Sequence, residues 1–142
     1  MLNKVMLIGH LGQPPQIKRT NGGRRYCMLS LATSKRWRDK ESGERKQRTD
    51  WHRIVIWAEH AIDLAEKHCE KGSRIWIEGE LSQRDWTDDK GVRRWVTEVV
   101  VMPITGVIKL MDARKGVPDP AEDDHFGAPV EHEPGEMEKS YA

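Results

Sequence analysis

The chain has 142 residues, one third of them charged, and a formal net charge of +1. This length suits one domain of ordinary size with a modest extension. No apolar run approaches the ~20 residues of a membrane span, and the two cysteines, Cys27 and Cys69, match no paired-ligand spacing. We therefore expect a soluble protein of a reducing, cytoplasmic compartment, with no metal or other cofactor.

The near-zero net charge conceals two unlike segments. Residues 1–111 carry 21 Lys and Arg against 14 Asp and Glu, whereas residues 112–142 carry 3 against 9. The second segment has four prolines and no apolar period, so it buries too little apolar surface to offset its ordering entropy. We predict a folded basic domain over 1–111 and a disordered acidic tail over 112–142. Such a division is typical of nucleic-acid contact.

Within the first segment, short apolar runs alternate with turn signals. They predict five strands, over Val5–Leu11, Tyr26–Ser34, Trp51–Trp57, Ser73–Trp86 and Trp95–Met102. Apolar residues at helical spacing predict a short helix after the third strand, formed around Ala61, Ile62 and Ala65 and stopped by Gly72. An all-β chain with one helix between strands three and four is the order of the five-stranded OB-fold barrel, although other small barrels fit the same pattern.

The third strand carries the clearest binding signal. Alternation with period two places Trp51, Arg53, Val55 and Trp57 on one face and His52, Ile54 and Ile56 on the other. The second face belongs to a core. Two indoles beside a guanidinium suit stacked bases with a phosphate between them, and such stacking tolerates any base sequence. A core position for these tryptophans is the alternative, but a core would not accept Arg53 without a partner.

Two further stretches combine basic residues with tryptophan. The segment from Lys35 to Asp50 is expected to form a polar binding loop that turns at residues 41–44, with Trp37 among Lys35, Arg36 and Arg38. The predicted hairpin around Asp88–Gly91 adds a second set of candidates: Arg84, Trp86, Arg93 and Arg94. Trp76 fits either a ligand site or a subunit interface, and the role of Trp95 stays open.

Several linked motifs resemble bacterial single-stranded DNA-binding proteins of the OB-fold. They are Asn3–Gly12, Asn21–Gly23, Leu31–Ser34 leading to Trp37–Lys40, Asp50–Val55, Lys71–Ser73, Ile77–Gly79, Trp86–Asp88 and Thr97–Val101. The resemblance implies a homotetramer that wraps single-stranded DNA during replication, recombination and repair, in the cytoplasm and at the nucleoid. It implies base stacking at Trp37, Trp51, Trp57 and Trp86, although the family usually has Phe at the position of Trp57. The resemblance also places His52 at a subunit interface.

The acidic segment departs from this family. Members typically end in Asp-Asp-Asp-Ile-Pro-Phe, whose terminal Phe binds partner proteins, whereas this chain ends in Ser-Tyr-Ala. Recruitment of replication and repair proteins through the tail is therefore in doubt. We expect the tail to compete with DNA for the basic surface through its charge.

Other function classes fit less well. No phosphate-binding loop or nucleophile motif is found, so we do not expect an enzyme. Asp88-Asp89 in a nuclease and His60, His68 and Cys69 in a zinc site are alternatives, but turn and surface roles are commoner for such residues. An RNA-binding module is the other alternative, since cold-shock proteins share the barrel, although the GXXG at Gly9–Gly12 ends a strand rather than joining two helices.

Overall fold

A computed structural model describes residues 1–112 of the chain. Its elements are β1 (Val5–Leu11), β2 (Gln16–Arg19), β3 (Arg25–Arg38), β4 (Arg45–Ile56), α1 (Glu59–His68), β5 (Arg74–Thr87), β6 (Arg93–Val101) and β7 (Val107–Leu110). The strands pair in the order β1-β3-β4-β6-β5, and β1 also pairs with β5, which closes five strands into a ring. All of these pairings are antiparallel except that of β4 with β6.

The predicted order of elements is confirmed with two additions. The bounds of β1 are as predicted, and the helix lies between β4 and β5. The short strands β2 and β7 were not predicted; they pair with β3 and β5 outside the ring. Of the predicted acidic tail only Asp112 is described, so the expectations for residues 113–142 lie outside the described part of the chain.

The prediction of a polar loop over residues 35–50 is wrong. Most of this segment is strand, because β3 and β4 remain paired as far as Arg38 opposite Arg45. Polar side chains bridge the two strands where apolar ones are missing, as in the 2.9 Å hydrogen bond between Ser34 Oγ and Thr49 Oγ1. The tip turns near the predicted place, with Gly43 at a φ of 71°.

The core lies within the ring of strands. It contains the inward residues of the long strands, which are fully or almost fully buried: Leu29, Leu31, Ile54, Ile56, Ile75 and Ile77. The helix adds Ala61, Ile62 and Ala65. Two glycines allow the strands to approach closely, since a Cβ at Gly9 would overlap the carbonyl oxygen of Ala32 and one at Gly79 that of Val100.

Arg25 fastens the helix to β3. Its guanidinium donates to three carboxylates along α1, at 2.9 Å from Glu59 and 3.1 Å from Glu66, with Asp63 between them. The hydrogen bond from Arg25 lowers the pKa of Asp63 below its ordinary value. This cluster therefore joins the start of β3 to the helix and has a structural role.

Candidate nucleic-acid interface

The outer face of β4 presents the predicted aromatic and basic residues. Ile54 and Ile56 are completely buried, whereas the side chain of Trp51 is 60% exposed. Arg53 shares the outer face with Trp51 and lies opposite Ser30 of β3. The predicted alternation is therefore confirmed, although Val55 on this face is also buried, because Met28 of β3 and Val100 of β6 flank it in the sheet.

A glycine lies beneath the indole of Trp51. A Cβ built on Gly12 would overlap the outer edge of the Trp51 ring, at 2.7 Å from Cη2. The segment after β1 therefore supports one side of this indole, and the lack of a side chain at Gly12 sets the position of the ring.

The hairpin of β5 and β6 extends the same face. Arg84 lies opposite Val96 and Trp86 lies opposite Arg94, on the side away from the buried Ile75 and Ile77. Trp86 is 47% exposed. Leu81, which by the same alternation lies on the side of Ile75 and Ile77, is 49% exposed, so the burial of that side ends before Leu81.

Arg53 joins two shallow concavities on this surface. One is lined by Trp51, Met28, Ser30, Gln13, Pro14 and Gln16 among others. The other is lined by Arg84, Trp86, Val92, Arg93, Arg94, Trp95 and Val96. Within the described residues, β4 and β6 pair only over three residues each, from Ile54 opposite Val99 to Ile56 opposite Val101. Outside these three residues, β4 and β6 are not paired with each other, so the β3–β4 and β5–β6 hairpins extend as separate ribbons.

A buried acid lies between the two central arginines. The sheet order places β6 between β4 and β5, and Glu98 of β6 is only 6% exposed. Its Oε2 is 3.2 Å from Arg53 Nε and its Oε1 is 3.1 Å from Arg84 Nε. Sequence reasoning missed this residue, because the parallel pairing of β4 with β6 leaves no local signal in the sequence.

Trp57 lies at the far end of the surface, one residue after β4 rather than within the predicted strand. Its ring centroid is 5.0 Å from that of Tyr26, and the Cζ atom of Arg24 lies 4.8 Å from the ring centroid. Trp57 is half-buried by these contacts. Part of the Trp57 side chain is therefore covered by residues of this chain.

The basic residues of the β3–β4 hairpin divide between its two sides. By the register, Arg36 and Arg38 lie on the side of Trp51, whereas Lys35 and Trp37 lie on the other. Trp37 is 48% exposed and stands opposite Lys46. The structure thus groups Trp51, Arg53, Arg84 and Trp86 on one surface but does not place Trp37 on the same side.

The remaining basic candidates are paired with acids of their own hairpin. Arg93 Nε is 2.6 Å from Asp85, and the Arg93 guanidinium lies 4.6 Å from the centroid of the exposed Trp95 ring. Arg94 Nε is 2.8 Å from Asp88 Oδ2. This hydrogen bond, together with those from the backbone of Val92 and Lys90, lowers the pKa of Asp88. The carboxylate of Asp88 is therefore engaged in the hydrogen bonds of the turn.

Among residues 1–112, no group of three His, Cys, Asp or Glu side chains is arranged to hold a metal ion. No helix there is long and apolar enough to cross a membrane.

Comparisons with known proteins agree on one family. The model of the single-strand binding protein family matches residues 2–106. A single-stranded DNA-binding protein of Rickettsia felis is 42% identical over 113 residues, which are 80% of this chain and 74% of the relative. The corresponding protein of Rickettsia typhi is 43% identical over 111 residues, or 78% and 73% of the two chains.

Solved structures give the same result. A Plasmodium falciparum SSB in complex with ssDNA superposes with a TM-score of 0.71 at 39% identity, covering 79% of this chain and 97% of that one. A deletion mutant of the single-stranded DNA binding protein from Thermus aquaticus gives a TM-score of 0.62 at 31% identity, covering 80% and 52%.

Proposed function

The chain belongs to the single-strand binding protein family, and we propose that it coats single-stranded DNA without sequence preference during replication, recombination and repair. The observation that carries the proposal is the exposed outer face, on which Trp51 and Trp86 flank the pair Arg53 and Arg84. We further infer that the ring of five strands is an OB-fold barrel, acting in the cytoplasm and at the nucleoid.

The two residue types supply complementary parts of the affinity. An indole stacks on any base and contributes about 1–3 kcal/mol per base. Arginines that neutralise Z phosphates add a slope of about −0.7Z to log K against log salt for single strands. Arg36 and Arg38 extend the basic track along the β3–β4 hairpin, and Lys35 and Trp37 offer contacts on its other side.

A fluorescence titration tests the proposal. The intrinsic tryptophan emission is followed while a homopolymeric DNA strand is added at two salt concentrations. We expect strong quenching by the single strand, weaker binding at the higher salt, and much weaker binding to a duplex of equal length. Equal affinity for the duplex would refute stacking on the indoles. An RNA strand of equal length tests the second function class, and labelled DNA incubated with divalent metals should stay intact.

We also propose a homotetramer. Met6 and Ile8 on the outer face of β1 are 58% and 45% exposed. The register places Trp76 beside Ile8, so these side chains form an apolar patch on the outside of the ring. Exposed apolar patches mark interaction sites, and a second copy is the partner that the family suggests. His52 is the other interface candidate. A hydrogen bond of 2.7 Å joins its Nε2 to Thr33 Oγ1. Recruitment of replication or repair proteins by the acidic segment remains a proposal.

A further inference from the structure

Glu98 is unexpected where it lies. It is the only buried charged residue among residues 1–112, and it lies in the surface that we propose binds a polyanion. Burial of a charge is unfavourable unless it is paired, and a carboxylate in this position subtracts from the attraction for phosphate. A structural benefit must therefore offset both effects.

We propose that Glu98 is a positioning residue, which holds Arg53 and Arg84 in the orientation that meets the phosphates of the bound strand. This inference rests on the proposed function. Arg84 Nε donates a hydrogen bond to Glu98 Oε1 at 3.1 Å, whereas Arg53 Nε is ion-paired with Glu98 Oε2 at 3.2 Å without hydrogen-bond geometry. Because a guanidinium has five N–H donors, an arginine anchored through Nε keeps its terminal amino groups for a phosphate.

The burial of the acid makes this anchoring rigid. Glu98 is 6% exposed, whereas the side chains of Arg53 and Arg84 are 42% and 49% exposed. The Nε of each guanidinium thus lies beside the buried carboxylate, while a large part of each arginine side chain is open to solvent. Arg53 is also held from a second side, since its Nη2 lies 3.8 Å from Met28 Sδ.

The sheet order explains why an acid is needed there. Arg53 and Arg84 belong to β4 and β5, and β6 with Glu98 runs between these strands. Without a carboxylate between them, the two like charges would repel each other and turn towards solvent. With Glu98 in place, the group retains one net positive charge in a fixed arrangement.

The substitution Glu98→Gln separates positioning from simple charge, because the two predict opposite signs. If Glu98 only repels DNA, its neutralisation strengthens binding to a homopolymeric DNA strand. If it positions the arginines, binding becomes about tenfold weaker, or about 1.4 kcal/mol. The magnitude of the salt slope then falls by about 0.7 for each lost phosphate contact.

Glu80→Gln is the matched control. Glu80 is exposed and lies on the same outer face of β5, opposite Val100. Glu80→Gln changes the net charge by the same amount as Glu98→Gln, and Glu80 touches neither arginine in the structure. We expect its affinity to equal or slightly exceed that of the unmodified protein, with an unchanged salt slope.

A variant lacking both arginines, Arg53→Ala with Arg84→Ala, completes the test. In that background, Glu98→Gln should no longer weaken binding. The proposal is overturned if Glu98→Gln alone binds as tightly as the unmodified protein, or if its loss persists without the arginines. Thermal midpoints are measured for every variant. Should Glu98→Gln not fold, Glu98→Asp retains the charge but retracts the carboxylate, and unchanged affinity and slope would then overturn the proposal. Failure of the unmodified protein to bind single strands would instead refute the proposed function.

Discussion

The two faces of β4 allow binding and stability to be perturbed separately at neighbouring positions. Trp51 and Ile54 are three residues apart, but the first is 60% exposed and the second is completely buried. Trp51→Ala should therefore weaken single-strand binding with little loss of stability. Ile54→Ala should do the reverse.

The magnitudes follow from the burial of each side chain. Loss of one stacked base costs about 1–3 kcal/mol, which corresponds to a Kd about 5- to 150-fold higher for Trp51→Ala. An isoleucine truncated in a packed core costs about 2–5 kcal/mol of unfolding free energy. Since 1 kcal/mol shifts the midpoint of a domain of about 100 residues by roughly 4–8 °C, Ile54→Ala should lower it by at least about 8 °C.

Both quantities are measurable on the same preparations. The Kd comes from quenching of the remaining tryptophans by a homopolymeric DNA strand, and the midpoint from thermal unfolding followed by circular dichroism. Trp51→Phe is the control, because a smaller ring retains part of the stacking and should give an intermediate Kd. If Trp51→Ala unfolds the protein while Ile54→Ala leaves its midpoint unchanged, the assignment of the two faces is reversed.

Two further substitutions test the surroundings of this strand. Gly12→Ala would place a methyl group against the Trp51 ring. Because the ring can rotate away, we expect a shifted fluorescence emission maximum and a raised Kd, with a nearly unchanged thermal midpoint. An unchanged Kd would show that the position of the ring does not affect DNA binding. Met6→Glu adds a charge to the apolar patch on β1, where Met6 is 58% exposed. Light scattering should show the mass of four chains for the unmodified protein and a smaller mass for this variant. A monomer at all concentrations of the unmodified protein would contradict the proposed tetramer.

The sequence predicts the part of the site that lies on one strand. Around Ile54, residues of opposite character alternate with period two, and this pattern arises only where one side of a strand is buried and the other is not. The positions of Trp51 and Arg53 on the outer face could therefore be predicted. The placement of Trp86 and Arg84 follows in the same way from the buried Ile75 and Ile77.

The contacts between strands could not be predicted in this way. Glu98 meets Arg53 only because β6 runs parallel to β4, and that neighbourhood depends on how the ring closes rather than on any short segment. The short strands Gln16–Arg19 and Val107–Leu110 are also defined by their partners β3 and β5. Four residues contain too few alternations to indicate a strand by themselves.

The loop prediction for the charged β3–β4 hairpin was wrong for a different physical reason. A two-stranded ribbon that extends beyond the ring has no core side, so its residues have no reason to alternate between apolar and polar. Its strands are held by backbone pairing and by polar contacts, such as the hydrogen bond from Arg36 Nε to Gln47 Oε1 at 3.3 Å. Hydrophobic periodicity reports burial, and a strand exposed on both sides therefore reads as a loop.

The same distinction sets how firmly each candidate side chain is held. Trp51 and Arg53 alternate with core residues, so local opening of their strand would expose Ile54, which is completely buried. Trp37 belongs to the part of the hairpin without such an anchor, where opening exposes mainly polar side chains and requires less free energy. A group that is already held in its binding position loses less entropy when the ligand arrives. The face of the ring should therefore fix where a bound strand lies, and the hairpin should adjust to it.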